Sequence, residues 1–305
     1  MSAKTEARTF RVSGRSVELS RAEKVLFPDD GITKADLAEY YRAASARMLP
    51  QLRGRPLMLE RHPDGIGDAG FMQKDVPDYF PDWIHRVELP KEGGTVSYPL
   101  AEDAAALVYL VGQGCTTLHR FLSRADRPDD PDRIVFDLDP PGDDFAPVRE
   151  AALRLRPLLE EELRLPTQVM TTGSRGLHVI VPLDGRSSFD EAREFARGVA
   201  EVLAGRYPES LTTAPRKQAR KGRLYLDVQR NGYGQTAVTP YAVRARPGAP
   251  IAAPITWEDV EDPELGPRRW TLADADALLA DDPWSPSPRG RSLAAAARRL
   301  SALAE

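Results

Sequence analysis

This sequence predicts a mixed α/β fold of the α+β kind, a split βαβ sheet with helices on one face, and three observations predict it. From about Ala101 to Ala245, strand-forming runs and helical periodicities follow one another in the order β-α-β-β-α-β. Proline, glycine and capping residues fall at the junctions between them. Hydrophobic residues at 41% and charged residues at 29% of 305 are values of a chain that buries a core. This length allows one large domain or two. The expected organisation is an N-terminal α/β module over 1–100, a sheet module over 101–280, and a Pro-rich linker with a C-terminal helix over 281–305, with 1–280 as one compact unit.

In chain order, a strand pair is expected around Thr9 to Leu19. A helix follows from Lys34, with Thr33 as N-cap and Leu37, Tyr40, Tyr41 and Ala44 at helical spacing. From Arg55 to Trp83 the chain is rich in Gly, Pro and Asp, with Phe71, Tyr79, Phe80 and Trp83 among the bases Arg61 and Lys74. Loops that hold a ligand have this composition, and so do surface loops tucked down by aromatics. The stretch IVFDLDP, Ile134 to Pro140, is a strand that stops at a double proline. Pro147 opens the next helix and Pro157 is placed to kink it. Strands over Thr167 to Thr172 and Leu177 to Leu183 are joined by the tight turn Gly173-Ser-Arg-Gly176. Ser188 and Glu191 form a capping box for a helix to about Arg206. Leu224 to Gln229 alternates cleanly as a strand, and Ser292 to Ala304 reads as a helix after three prolines.

Composition narrows the function. With a single cysteine, Cys115, there is no internal disulfide and no multi-cysteine zinc site, as in a reducing cytosol. The N-terminal stretch lacks the apolar run of a signal peptide, and nothing reaches the roughly 18 apolar residues of a membrane span, so no membrane partner is expected. A net charge of −4 argues against indiscriminate nucleic-acid binding, but the charges are segregated. Pro215 to Arg230 holds Arg216, Lys217, Arg220, Lys221, Arg223 and Arg230 against the single acid Asp227. Such a run is a nucleic-acid contact or simply a solvated face.

The chemistry lies in the carboxylates. Asp137 and Asp139 stand two apart in a strand and share a face, while Phe136 and Leu138 point into the core. Like charges at that spacing repel unless a cation lies between them, although Asp139 could equally cap a turn. In LYLDVQ, Leu224, Leu226 and Val228 occupy one face and Tyr225, Asp227 and Gln229 the other. Three carboxylates on one open sheet face suit two hard cations such as Mn²⁺ or Mg²⁺. Thr171 to His178 adds an anion site: its glycines let backbone N–H groups converge, Thr172 and Ser174 carry hydroxyls, and Arg175 can pair with phosphate. A hairpin connection and a structural His178 are the plainer alternatives.

The ordered set IVFDLDP, TTGSRGLHVIVPL and LYLDVQRNGYGQTAVTPYAVRARPGAP resembles the polymerase domain of bacterial ATP-dependent DNA ligase D, of the archaeo-eukaryotic primase superfamily. RPLMLERHPDGIGDAGFMQKDVPDYFPDW and TTLHRFLSRADRPDDPDRIVFDLDP fit as well, and the likeness covers roughly Ser20 to Ala280. It implies a primase-polymerase fold whose catalytic palm is an RRM-like split βαβ sheet, with the N-terminal module packed against it. It also implies a template-directed nucleotidyltransferase of non-homologous end joining that prefers NTPs and manganese. On that likeness Asp137, Asp139 and Asp227 bind two metal ions and activate the primer 3′-hydroxyl. His119, Thr172, Ser174, Arg175, His178 and Arg244 contact the nucleotide. Arg53, Phe71, Lys74, Arg216, Lys217, Arg220 and Lys221 meet DNA, with Phe71 as a stacking platform. The implied partners are template-primer duplex, DNA ends with a 5′-phosphate, NTP or dNTP, Ku and a DNA ligase, in a cytoplasmic, nucleoid-associated setting. Thr172 and Arg175 depart from the family's frequent Ser and Lys, and a planar guanidinium grips phosphate differently from an ammonium. Two rival readings remain. A metal-dependent phosphohydrolase would share FDLD, but Pro141 stands where the haloacid-dehalogenase motif needs Thr or Val. A DNA-end-binding module would keep the basic surface without catalysis.

Overall fold

The computed structural model describes residues 7–304, and the chain divides into two units. The first comprises residues up to Phe121 together with Val238–Ala252 and Trp270–Asp281. The second comprises Leu122–Ala237, Ala253–Arg269 and the chain from Asp282. The expected boundary near residue 100 is therefore displaced to Phe121. The physical reason is that β9 (Cys115–Phe121) pairs with β5 (Leu57–Arg61), a partner far back in the sequence that local periodicity does not reveal.

In the first unit, β1 (Arg8–Val12) and β2 (Arg15–Leu19) form the expected antiparallel pair, which buries Phe10, Val17 and Leu19. The short strands β3 (Val25–Phe27) and β4 (Ile32–Thr33) lead into α1 (Lys34–Leu52). Its capping box has Thr33 Oγ1 accepting from the Asp36 N–H at 3.2 Å, and the Asp36 carboxylate accepting from the Thr33 N–H at 2.8 Å. The helix buries Leu37, Tyr40, Tyr41, Ala44, Met48 and Leu52 along one stripe. At its centre the Tyr41 hydroxyl donates to the Thr116 carbonyl at 2.7 Å, tying α1 to β9. Next, β5 pairs with β6 (Phe71–Gln73), the hairpin of β7 (Arg86–Lys91) and β8 (Gly94–Pro99) follows, and α2 (Ala104–Gly112) starts at the N-cap Asp103.

The second unit carries the split βαβ sheet. Its elements are β10 (Arg133–Asp139), α3 (Ala146–Pro157), β11 (Gln168–Thr171), β12 (Leu177–Pro182), α4 (Phe189–Arg206), β13 (Leu211–Thr212), the short α5 (Lys217–Arg220) and β14 (Leu224–Asp227). After β15 (Thr236–Val238) come β16 (Pro254–Ile255) and α6 (Trp257–Glu261), then α7 (Ala275–Ala280) of the first unit. The six-stranded order is β13-β14-β10-β12-β11-β16, and its four central strands have the split βαβ arrangement that the element order predicts. One face is covered: Ile134, Phe136, Leu138, Val179, Leu224 and Leu226 share a core with Val148, Leu155, Phe195 and Val199 of α3 and α4. Pro157 ends α3, and the chain widens into a π-turn over Leu158–Glu162. The C-terminal α8 (Leu293–Ala304) is no detached appendage. It docks on α4, where a Cβ at Gly198 would fall 2.9 Å from Leu300 Cδ2.

The strand expected to reach Gln229 stops at Asp227. There the Asp227 carboxylate accepts from the Gln229 N–H at 2.8 Å, and Gln229–Asn231 turns as a 3-10 helix. The turn delivers the buried Asn231 side chain to β10: its Oδ1 accepts from the Val135 N–H at 2.8 Å, and its Nδ2 donates to the carbonyls of Val135 at 2.8 Å and Val228 at 3.0 Å. Replacing Asn231 by Ala strands those backbone groups in the interior, so Asn231→Ala should lower stability by about 2–4 kcal/mol in urea unfolding of the second unit's signal. A loss under about 0.5 kcal/mol would contradict this role.

Candidate active site

Strand register assembles the carboxylates. β10 and β14 pair antiparallel with Asp137 opposite Asp227 and Asp139 opposite Tyr225. Directly opposed side chains share a face, so Asp137, Asp139 and Asp227 lie on the face that α3 and α4 leave free. Asp137 is buried. Its Oδ2 accepts from Arg230 Nε at 3.1 Å, and its Oδ1 is 3.4 Å from His178 Nε2, the residue opposite it on β12. Burial alone would raise the Asp137 carboxyl, but His178 and Arg230 outweigh it and hold it down at about 2. Asp139 has an exposed tip, yet the protein around its carboxyl and the neighbouring Asp137 charge raise it above the usual range. Asp227 is raised too, by burial first and by Asp137, against the opposing Gln229 N–H. Burial first, and the Asp137 charge after it, push up the two carboxyls that share its patch.

The donor set fits hard divalent cations, being all carboxylate oxygen. Beside Asp137, His178 is buried, and its Nδ1 has no hydrogen-bond partner among the described residues. Among those residues no group of three or more His, Cys, Asp or Glu is closed around a common point. The two oxygens of Asp137 are turned to Arg230 and His178. The fit thus lies in strand register and donor chemistry.

The turn between β11 and β12 is tighter than an open anion cradle. Thr172 Oγ1 accepts from the N–H groups of Ser174 at 3.3 Å and Gly176 at 3.1 Å, so these expected anion donors close on the turn's own hydroxyl. A Cβ at Gly176 would fall 2.0 Å from the Leu138 carbonyl oxygen and 2.7 Å from Asp139 Oδ1, so only glycine lets this backbone reach the end of β10. The exposed Arg175 donates to the carbonyls of Pro140 at 3.2 Å and Gly142 at 3.1 Å, bracing the loop that follows Asp139. Ser174 offers its carbonyl to Arg268 Nε at 3.0 Å, a basic residue that sequence reading missed.

The basic run divides. Arg216, Lys217 and Lys221 are exposed, on and beside α5. Arg220 folds back, with its guanidinium 4.2 Å from the Tyr225 ring centroid, and its charge reaches Asp227. Arg230 leaves the run altogether for Asp137. Its signal was its place three residues past Asp227, hidden among five other bases of the same segment.

The remaining expected residues belong to the first unit. His119, on β9, has Nε2 3.2 Å from Glu60 Oε2, and the charge of Arg244 reaches Glu60 as well. Phe71 is exposed at the start of β6, 5.3 Å beneath the Arg61 guanidinium, with the exposed Met72 and Lys74 close behind it in sequence. Exposed Arg53 donates to the Glu102 carbonyl at 3.3 Å. Sequence reading also missed a cationic cluster at the start of α1. There Lys34 is buried with its ammonium on the carbonyls of Ser20 at 2.9 Å and Gly112 at 3.2 Å, and burial followed by the charges of Arg21 and Lys24 pushes it down to about 8.

Residues 33–284 match the LigD primase-polymerase domain family. The multifunctional non-homologous end joining protein LigD of Mycolicibacterium smegmatis is 35% identical over 254 residues, 82% of this chain and 33% of that protein. Its namesake in Pseudomonas aeruginosa is 32% identical over 302 residues, 97% of this chain and 36% of that protein. The chain therefore spans about a third of the length of these curated relatives. Among solved structures, the polymerase domain of Mycobacterium tuberculosis ligase D in complex with DNA superposes with a TM-score of 0.82 at 31% identity, covering 88% of this chain and 95% of that one.

Arg230 adds to His178 in holding Asp137 down, so Arg230→Gln should move the Asp137 carboxyl upward from about 2, read from its ¹³C shift against pH. A shift of about one unit corresponds to roughly 1.4 kcal/mol of lost interaction, and an unmoved Asp137 would show that the contact is not formed in solution.

Proposed function

We propose, from the premise that this chain belongs to the LigD primase-polymerase domain family, that it is a template-directed nucleotidyltransferase that fills or extends DNA ends during non-homologous end joining, with NTPs preferred. The observation that carries this reading is the pairing of Asp137 with Asp227 and the presence of Asp139 on the same open face. Two divalent cations, Mn²⁺ or Mg²⁺, held by these oxygens would lower the pKa of a primer 3′-hydroxyl and neutralise charge on a triphosphate. The chain's own residues do the rest. Asp227, its carboxyl held up by burial, completes the site that activates the hydroxyl. His178 keeps Asp137 in place through Nε2 and has Nδ1 left for a ligand oxygen.

Thr172, Ser174, Arg175, His119 and Arg244 are the nucleotide contacts of this reading, and Arg175 must exchange backbone carbonyls for phosphate to serve. Arg216, Lys217 and Lys221 lie exposed for the DNA backbone, and Phe71 for base stacking. Arg53, Lys74 and Arg220 take template or 5′-phosphate contacts. The Arg21, Lys24 and Lys34 cluster joins them, because burial first and the charges of Arg21 and Lys24 second lower Lys34, and an anion there would offset those charges. Ku and a DNA ligase are the partners that end joining requires.

The test is extension of a gapped duplex with a 5′-phosphate, using NTPs and dNTPs in parallel. Asp137→Ala, Asp139→Ala and Asp227→Ala should each lose several kcal/mol of transition-state stabilisation, about 10²–10³-fold or more in rate. Retained extension by Asp137→Ala rejects the reading. Replacing Arg216, Lys217 and Lys221 by Ala should flatten the dependence of binding on log salt by about 0.7–0.9 for each phosphate no longer neutralised.

A further inference from the structure

The turn between β11 and β12 is met by a second guanidinium that the proposed chemistry leaves unused. It comes from the loop after α6, where the chain reads DPELGPRR over Asp262 to Arg269. Leu265 anchors that loop: it packs into the core of the second unit, and its N–H donates to the Asp262 carbonyl at 3.1 Å. Arg269 is held by acids of the same segment, with Nη1 3.7 Å from Asp259 Oδ1 and 3.5 Å from Asp262 Oδ2. Arg268 goes elsewhere. Its Nε donates to the Ser174 carbonyl at 3.0 Å, across 94 positions of sequence. Asp262 and Glu264 line the same shallow hollow as Arg268, of about 500 Å³, yet among the described residues no carboxylate forms an ion pair with Arg268. The loop, the turn and the three carboxylates all belong to the second unit.

A carbonyl is a neutral acceptor, so this hydrogen bond places Arg268 without cancelling its charge. With Nε on Ser174, the edge formed by the two terminal nitrogens is left over, and that edge matches a pair of phosphate oxygens. The turn needs such a donor. Its Ser174 and Gly176 amides are closed on Thr172 Oγ1, and Arg175 spends Nη2 on the carbonyls of Pro140 and Gly142. Gly176 is where the turn meets Asp139, and Ser174 stands two residues back from that approach. A triphosphate whose reacting phosphorus lies at the carboxylates would run its tail along the turn, past Arg175 and toward Ser174. We propose that Arg268 binds the terminal phosphate of the incoming nucleoside triphosphate through its two terminal nitrogens, the Ser174 carbonyl setting its place. This rests on the nucleotidyltransferase reading given above.

Calorimetric titration with ATP and with ADP, both in Mg²⁺, isolates the terminal phosphate. Wild-type protein should bind ATP more tightly than ADP. Arg268→Gln, a change at an exposed position, should weaken ATP binding about ten- to hundredfold and leave ADP binding unchanged. Arg268→Lys should recover part of the loss, since it restores the charge without the fork. Arg269→Gln removes a charge one residue away and should leave ATP binding as it was. In primer extension, Arg268→Gln should raise the KM for NTP by the factor seen in ATP binding, with kcat little changed. Unchanged ATP binding in Arg268→Gln overturns the inference. So does an equal loss for ATP and ADP, which would make Arg268 a brace for the turn, or an equal loss in Arg269→Gln, which would make the effect one of general charge. If Arg268→Gln fails to fold, phenylglyoxal labelling of the wild-type protein decides: ATP should shield Arg268 and ADP should not, and labelling indifferent to ATP overturns the inference alone. Wild-type protein that binds no ATP at all rejects the nucleotidyltransferase reading itself, before any variant is compared.

Discussion

The pairing of β10 with β14 is the constraint on which the second unit's chemistry depends. Asp137 and Asp227 are 90 positions apart in the chain and become neighbours only because the ladder sets them opposite one another. A slip of one residue would turn Asp227 into the core and leave Leu226 in the open. Register is held from the buried side, where Phe136 and Leu138 of β10 and Leu224 and Leu226 of β14 pack into the core beneath α3 and α4. It is held from the edge by Asn231, which pairs with both backbone groups of Val135. Hydrophobic burial on one face thus sustains electrostatic repulsion on the other. Within the protein that repulsion is offset by two neighbours of Asp137, His178 and Arg230.

The approach of the β11–β12 turn to the same edge is a steric matter. Gly176 brings its backbone against the Leu138 carbonyl and the Asp139 carboxylate, and Thr172 closes the turn by accepting two of its amides. Arg175 then ties the turn to Pro140 and Gly142. Asp139 and the turn that leads to His178 are thereby held together by the backbone approach at Gly176, with the Arg175 side chain as a brace. Such preorganisation is what an electrostatic site needs.

Much of this was legible in the sequence, for identifiable reasons. Period-two alternation assigned Asp137, Asp139 and Asp227 to open faces, and Thr33 with Asp36 and Ser188 with Glu191 marked where α1 and α4 begin. The C-terminal end of α4 at Arg206 was read correctly as well. What failed was non-local. Strands β13 and β16 have two residues each, too few to show a period. The unit boundary at Phe121 follows from pairing across more than fifty residues. Arg230 was hidden in a basic run because composition does not say which base turns inward, and Glu60 looked like any polar residue of a half-buried strand. Thr172 was expected to offer its hydroxyl to an anion, and its acceptor role toward Ser174 and Gly176 follows from turn geometry that residue types alone do not specify.

The most direct measurement is a crystal structure of the protein with Mn²⁺ and a nonhydrolysable nucleotide. The expected result is manganese bound by oxygens of Asp137, Asp139 and Asp227 at about 2.1 Å. Manganese absent from this face, or an Asp227 carboxylate directed away from the other two, would contradict the assignment of the three carboxylates to a single metal site.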